Sequence, residues 1–482
     1  MKRTNMHIKH FILIALLCAP SLCLYLSFFG HVTPIEIYNC QQLVDHIHTS
    51  IDCDQTVCIN NFNTDQTQET WITVFVHGIM SIKKHVSLPN IIRLMKDETE
   101  NTTYAQAVKI MRENPFFFEN QAMQQLGLEK IYPTRRERRY ASGALASLFD
   151  SVVKKSNSTI NNHFYTFGWS GLISERSRKS AGEELYHALA DEVEKLKDQN
   201  VNPKIRVIGY SHGGNVALNL GAVKSKFYLK HPYIVDELIL IGTPIQCETD
   251  HLVESNVFKH VYNVYSSSDR VQPLDCFSFK RFFSRRTFTS RSDFSVPEKI
   301  TQIEIRVTDT TKKKKGVPTD LPSPRINPLV ALGKTHFLRD RSPGHTELWF
   351  FGWTPLYYRK HYPLYPLPTV AFIPHIIKHL KEYKQHIHPE ETVIADLRPD
   401  YEHMIIRKAK NCNKYMIAPF FSENEIKHMC NYVQAYMPQN YTKDLYDKHT
   451  DDAHKLARDY FKDHRKNSSW NTAKLAFVIE SK

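Results

Sequence analysis

From Trp71 onward, short apolar runs rich in β-branched and aromatic residues recur, each closed by turn residues. Residues 72–76 end in His77-Gly78, 164–167 in Gly168-Trp169, and 205–208 in Gly209. Residues 238–241 run into Gly242-Thr243-Pro244, 261–265 into Ser266-Ser267-Ser268-Asp269, and 303–307 into Thr308-Asp309. Runs of this length without polar alternation suit strands buried on both faces, as in parallel sheets. Helical spacing lies between them: Leu185, Leu189, Val193 and Leu196 fall three and four residues apart within 181–197, and an apolar stretch, 216–220, follows a glycine turn. Alternating strands and helices predict an α/β fold with a mostly parallel, doubly wound sheet.

Two stretches break the rhythm. Between Ile79 and Asn162 no strand is evident, and Asn114-Pro115-Phe116-Phe117-Phe118 and an amphipathic stretch at 144–153 predict a helical insertion over about 83–160. After about residue 390 the chain turns polar and reads as a helical extension, 390–482. The pattern thus divides into 1–30, an extension 31–70, a sheet-and-helix domain 71–389 and the C-terminal extension.

The first segment holds an apolar run from Phe11 to Phe29 behind Lys2, Arg3 and Lys9. Nineteen helical residues rise about 28 Å, close to the hydrocarbon thickness of a bilayer. No Lys or Arg follows until Lys83, whereas Glu36, Asp45, Asp52, Asp54, Asp65 and Glu69 do. This asymmetry predicts a cytoplasmic N-terminus and an exported remainder, either anchored by the helix or secreted after cleavage near Ser21-Leu22-Cys23. Export permits disulfides among Cys53, Cys58, Cys247, Cys276, Cys412 and Cys430, with Cys40 left over; the spacing fixes no connectivity.

Over its 482 residues the chain carries a net charge of +13, and 41% of residues are hydrophobic, enough for a large core. Eleven Lys and Arg against four acids lie in 280–315, including Arg285-Arg286 and the run from Lys312 to Lys315, and a second knot is Arg135-Arg136-Glu137-Arg138-Arg139. Such runs are solvated faces or contacts to an anionic membrane. No nucleic-acid motif accompanies them. Leu332-Gly333-Lys334-Thr335 lacks the first glycine of a phosphate loop, because Pro328 stands there.

The chemistry concentrates in Gly209-Tyr210-Ser211-His212-Gly213-Gly214, which follows a predicted strand and opens a predicted helix. A G-x-S-x-G turn in that setting lifts a serine hydroxyl above the sheet edge, because only glycine fits so tight a bend. A serine needs a base and a carboxylate to orient it, and both are expected after later strands. Asp269, directly after the 261–265 run, is favoured over Asp275 and Asp250; His345, in Ser342-Pro343-Gly344-His345, is favoured over His336. An oxyanion hole requires two amides, expected from His212 and from the loop after the first strand, at Ile79.

The segments Phe75-Val76-His77-Gly78, Gly209-Tyr210-Ser211-His212-Gly213-Gly214 and Ile241-Gly242-Thr243-Pro244 resemble the α/β-hydrolase superfamily, closest to its lipase and esterase branch, over about residues 71 to 385. The resemblance implies a serine hydrolase with a Ser–His–Asp triad, no metal and no cofactor, acting on esters through an acyl-enzyme. With the N-terminal apolar run and the aromatics Trp349, Phe350, Phe351, Trp353, Tyr357 and Tyr358, it predicts an acyl or lipid ester as substrate and a membrane as neighbour. Transfer of the acyl group to an alcohol, or a non-catalytic binding role on the same scaffold, are the competing expectations.

Overall fold

The computed structural model describes residues 69–479 apart from 81–96, 98, 100, 120, 133–140, 158, 228–232, 273–283, 310–338, 341, 353–361, 384–385, 411–413 and 436–442. The predicted membrane segment, the basic knot 135–139, Lys280, Arg281 and the run from Lys312 to Lys315, and the rivals Asp275 and His336 lie outside the described residues. Among the described residues no helix is long and apolar enough to cross a membrane.

In chain order the elements are β1 (Glu69–Val76), α1 (Thr103–Glu113), β2 (Gly127–Ile131), α2 (Ala141–Ser156), β3 (Ile160–Gly168), α3 (Glu175–Lys197), β4 (Lys204–Tyr210), α4 (His212–Leu218) and α5 (Leu220–Phe227). They continue with β5 (Val235–Ile241), β6 (Phe258–Tyr265), β7 (Ile300–Asp309), β8 (Arg339–Asp340), α6 (Ile373–Glu382), β9 (Thr392–Arg398), β10 (His403–Lys408), β11 (Tyr415–Pro419), α7 (Glu423–Gln434) and α8 (Lys443–Ile479). All strands among the described residues join one sheet in the order β11-β10-β9-β7-β6-β5-β4-β1-β3-β2, with β8 paired to β7. Its centre, from β3 through β1, β4, β5, β6 and β7 to β9, is parallel. The fold is therefore α/β with a mostly parallel sheet.

Side chains alternate across each central strand and both sides are buried, which is why the sequence shows solid apolar runs. Ile72, Val74 and Val76 of β1, Val207 of β4 and Leu238 and Leu240 of β5 pack with Leu185, Leu189 and Val193 of α3. Phe75, Ile208, Tyr210, Ile239 and Ile241 point the other way, into a core shared with Leu145 and Phe149 of α2 and Ile376 and Ile377 of α6.

The stretch read as a helical insertion does hold α1 and α2, but it also contributes β2, antiparallel to β3. Its strand Gly-Leu-Glu-Lys-Ile buries only Ile131 fully, since an edge strand has one paired side and little apolar demand. The larger correction concerns residues after 390. They are not simply a helical extension: β9 pairs parallel with β7, and β10 and β11 continue antiparallel beyond it. The strand signal of β9 is masked by polar residues inside it. Asp396 accepts from Thr308 Oγ1 at 2.6 Å and from Arg398 Nη2 at 3.1 Å, so charges sit buried where the pattern calls for apolar residues.

Parallel strands lay their C-terminal ends along one edge of the sheet. The chain runs from β1 outward to β3, then crosses back to β4 on the other side of β1. The loops after β1 and β4 therefore diverge over a topological switch point, the place where open α/β sheets form their crevice.

Candidate active site

Ser211 occupies the bend between β4 and α4 with φ 52° and ψ −130°, a strained conformation for a residue with a side chain. Two backbone bonds hold it there: Ser211 N–H donates to Ile241 O at 2.8 Å, and Gly214 N–H donates to Ser211 O at 3.0 Å. The glycines around it are sterically required. A Cβ on Gly209 would lie 2.6 Å from Gly214 Cα, and one on Gly213 would lie 2.3 Å from His77 O.

The structure brings the three sequence-predicted side chains into line. His345 Nε2 lies 3.0 Å from Ser211 Oγ, and His345 Nδ1 lies 2.7 Å from Asp269 Oδ2. Asp269 follows the end of β6, and His345 precedes a short helical turn, Thr346–Leu348. An ionised carboxylate can only accept, so Nδ1 carries the proton and Nε2 is left to accept from the serine hydroxyl. Gly242, at φ 55°, leaves room for this pair; a Cβ there would stand 3.2 Å from both Asp269 Oδ2 and His345 Nδ1. Asp269 is fully buried, Ser211 is 5% exposed and the His345 side chain 10%.

Burial by itself pushes the Asp269 carboxyl up. The His345 ring and the amides of Gln272 and Val271 outweigh it and hold the carboxyl below its ordinary value. Those amides both donate to Oδ1, at 3.1 and 2.9 Å, leaving Oδ2 for the imidazole. The rival Asp250 is taken up in a two-pronged ion pair with Arg291.

The loop after β1 lies directly against the serine. A Cβ on Gly78 would sit 2.9 Å from Ser211 Cβ. Ile79 follows Gly78 and His212 follows Ser211, so both sequence-predicted oxyanion amides lie within one residue of this contact. His77 anchors the loop from behind. Its Nδ1 is 2.7 Å from Gly78 O, its Nε2 faces Trp169 N at 3.3 Å and Arg112 Nη1 at 3.5 Å, and its own carbonyl accepts from Trp169 Nε1 at 2.7 Å. Burial and the Arg112 charge keep the ring neutral, well below the ordinary histidine range.

Several contributors were not legible as site residues. Arg286, part of a run read as a basic surface, donates to Asp269 O at 2.6 Å and so ties down the acid loop. Gln272 donates to Thr243 O at 2.6 Å, and Tyr210 OH to His345 O at 3.1 Å. Of the aromatics behind the substrate expectation, for which a buried core patch is the equal alternative, Trp349 and Phe351 are fully buried core residues, with Trp349 stacked on Tyr210 at 5.1 Å. Trp353, Tyr357 and Tyr358 lie outside the described residues.

No family model matches the chain, and no curated protein is similar to it in sequence. The reading of the site therefore rests on its geometry.

Proposed function

We propose that the chain is a serine hydrolase of the α/β-hydrolase type that cleaves carboxylic esters. The observation carrying this reading is the unbroken line from Asp269 through His345 to Ser211, with contacts of 2.7 and 3.0 Å, ending on a strained serine. Ser211 Oγ attacks the ester carbonyl carbon while its proton passes to His345 Nε2. The oxyanion formed is held by the amides of Ile79 and His212. Collapse breaks the bond to the alcohol, which leaves with the proton from His345, and Ser211 is acylated. Water then repeats the sequence, giving its proton to His345 and releasing the acid and free serine. Asp269 stabilises the transient imidazolium.

The decisive experiment is fluorophosphonate labelling. Wild-type protein is expected to take up one probe at Ser211, and Ser211→Ala none. Failure of folded wild-type protein to label overturns the reading.

We assign an acyl or lipid ester as substrate, on an exported domain tethered or secreted by its N-terminal apolar run. An apolar cluster supports this: Met80 packs with Tyr104, Met111, Phe117 and Met123, and Ile79 lies against it. With p-nitrophenyl esters of rising chain length, kcat/KM is expected to be higher for octanoate than for acetate, by about tenfold or more for the extra methylenes. A preference for acetate overturns the substrate assignment and leaves the hydrolase reading standing.

A further inference from the structure

The buried guanidinium of Arg112 has no place in the chemistry described above. It comes from α1, outside the sheet, and is only 6% exposed. Its Nη2 donates to Gln124 O at 2.7 Å, its Cζ lies 5.4 Å from the centre of the Phe118 ring, and its Nε has no partner among the described residues. Burying a charge with an unsatisfied donor is costly. What the charge faces is His77 Nε2, at 3.5 Å.

The hydrogen-bond roles at His77 follow from donor chemistry alone. Both groups facing Nε2, the Trp169 amide and the Arg112 guanidinium, can only donate. Nε2 must therefore accept, the ring proton sits on Nδ1, and Nδ1–H donates to Gly78 O at 2.7 Å. A peptide unit is planar and trans, so its C=O and N–H point in opposite directions. Drawing Gly78 O toward the His77 ring turns the N–H of the same unit, which belongs to Ile79, away from it. Gly78 itself is pressed against Ser211 on a side where no side chain fits.

We infer that Arg112 is a positioning residue. Together with the Trp169 amide it keeps His77 Nε2 an acceptor, holds the ring in the tautomer that binds Gly78 O, and so aims the Ile79 amide at the developing oxyanion. The inference deepens the serine-hydrolase reading and rests on it. The arrangement extends outward from the sheet. α1 packs on α8, and Phe117, in the turn just after α1, sits edge-on to Tyr446 at 5.2 Å, so the C-terminal helix braces the element that carries Arg112.

The test compares wild type, Arg112→Met and Arg112→Lys. Active sites are counted by fluorophosphonate titration, so that every rate is per folded site. With p-nitrophenyl butyrate, Arg112→Met is expected to lower kcat about 10- to 100-fold at nearly unchanged KM, less than outright removal of an oxyanion donor. A trifluoromethyl ketone, which forms a hemiketal oxyanion on Ser211, is expected to bind more weakly by a similar factor. Arg112→Lys, which keeps a donor and the charge, restores most of both. Arg112→Gln, which removes the guanidinium charge but keeps a polar amide, carries the same expectation and stands in if the methionine variant does not fold. Unchanged kcat and ketone affinity per titrated site overturn the positioning role alone. An unlabelled wild type overturns the hydrolase reading and this role with it.

Discussion

On the proposed hydrolase reading, Asp269→Asn is expected to lower kcat about 10⁴-fold while leaving the protein folded, the scale seen when a triad imidazole is held in the wrong tautomer. The surroundings of Asp269 dictate this outcome. Oδ1 sits under two backbone amides, those of Val271 and Gln272, which can only donate. In the asparagine variant the side-chain oxygen must take that position, because an NH₂ there would face two donors. The NH₂ is then forced toward His345 Nδ1, which must accept. The ring proton moves to Nε2, opposite Ser211, and the imidazole can no longer take the hydroxyl proton. Rates per titrated site and a thermal unfolding curve check this; a loss smaller than about tenfold contradicts the assigned role of Asp269.

Gly213→Ala is expected to be the most damaging change to the scaffold near the site. The added methyl would lie 2.3 Å from His77 O and 2.5 Å from Val76 O. Both are backbone atoms at the end of β1, in the middle of the sheet, and neither can rotate aside. The strand end and α4 must separate, at a cost of roughly 3 kcal/mol or more, the upper part of the range for overpacked interiors. The displaced segment carries Gly78 and Ile79, so activity falls along with stability. Gly143→Ala is the matching control. Gly143 lies in α2 with nothing within 4 Å of its added Cβ, and the same chemical change there is expected to stabilise by about 0.5–1 kcal/mol. Chemical denaturation of the two variants reads the difference; equal effects would show that the crowding at Gly213 is not what decides.

The parts of this molecule that could be read in advance are those where local pattern and tertiary demand coincide. β1, β4, β5 and β6 lie in the middle of the sheet, and double-sided burial makes each a solid apolar run. Ser211 was legible because its bend excludes side chains at fixed offsets, which writes glycines into the sequence. Asp269 and His345 followed from strand ends and loop chemistry. β2 and β9 escaped notice for opposite reasons. The first is an edge strand with little to bury, and the second buries charges that neutralise one another. Arg112, Arg286 and Trp169 act on the site through contacts 17 to 92 positions apart in the chain, and no local pattern encodes such pairings.

The stitching of 392–397 onto β7 along 302–307 means that the polypeptide's last hundred residues are not an appendage. A version shortened near residue 390 would leave β7 as a bare margin, with a row of amides and carbonyls facing water and available to any other chain. Such a fragment would clump, even though Ser211, Asp269 and His345 all lie upstream of the cut.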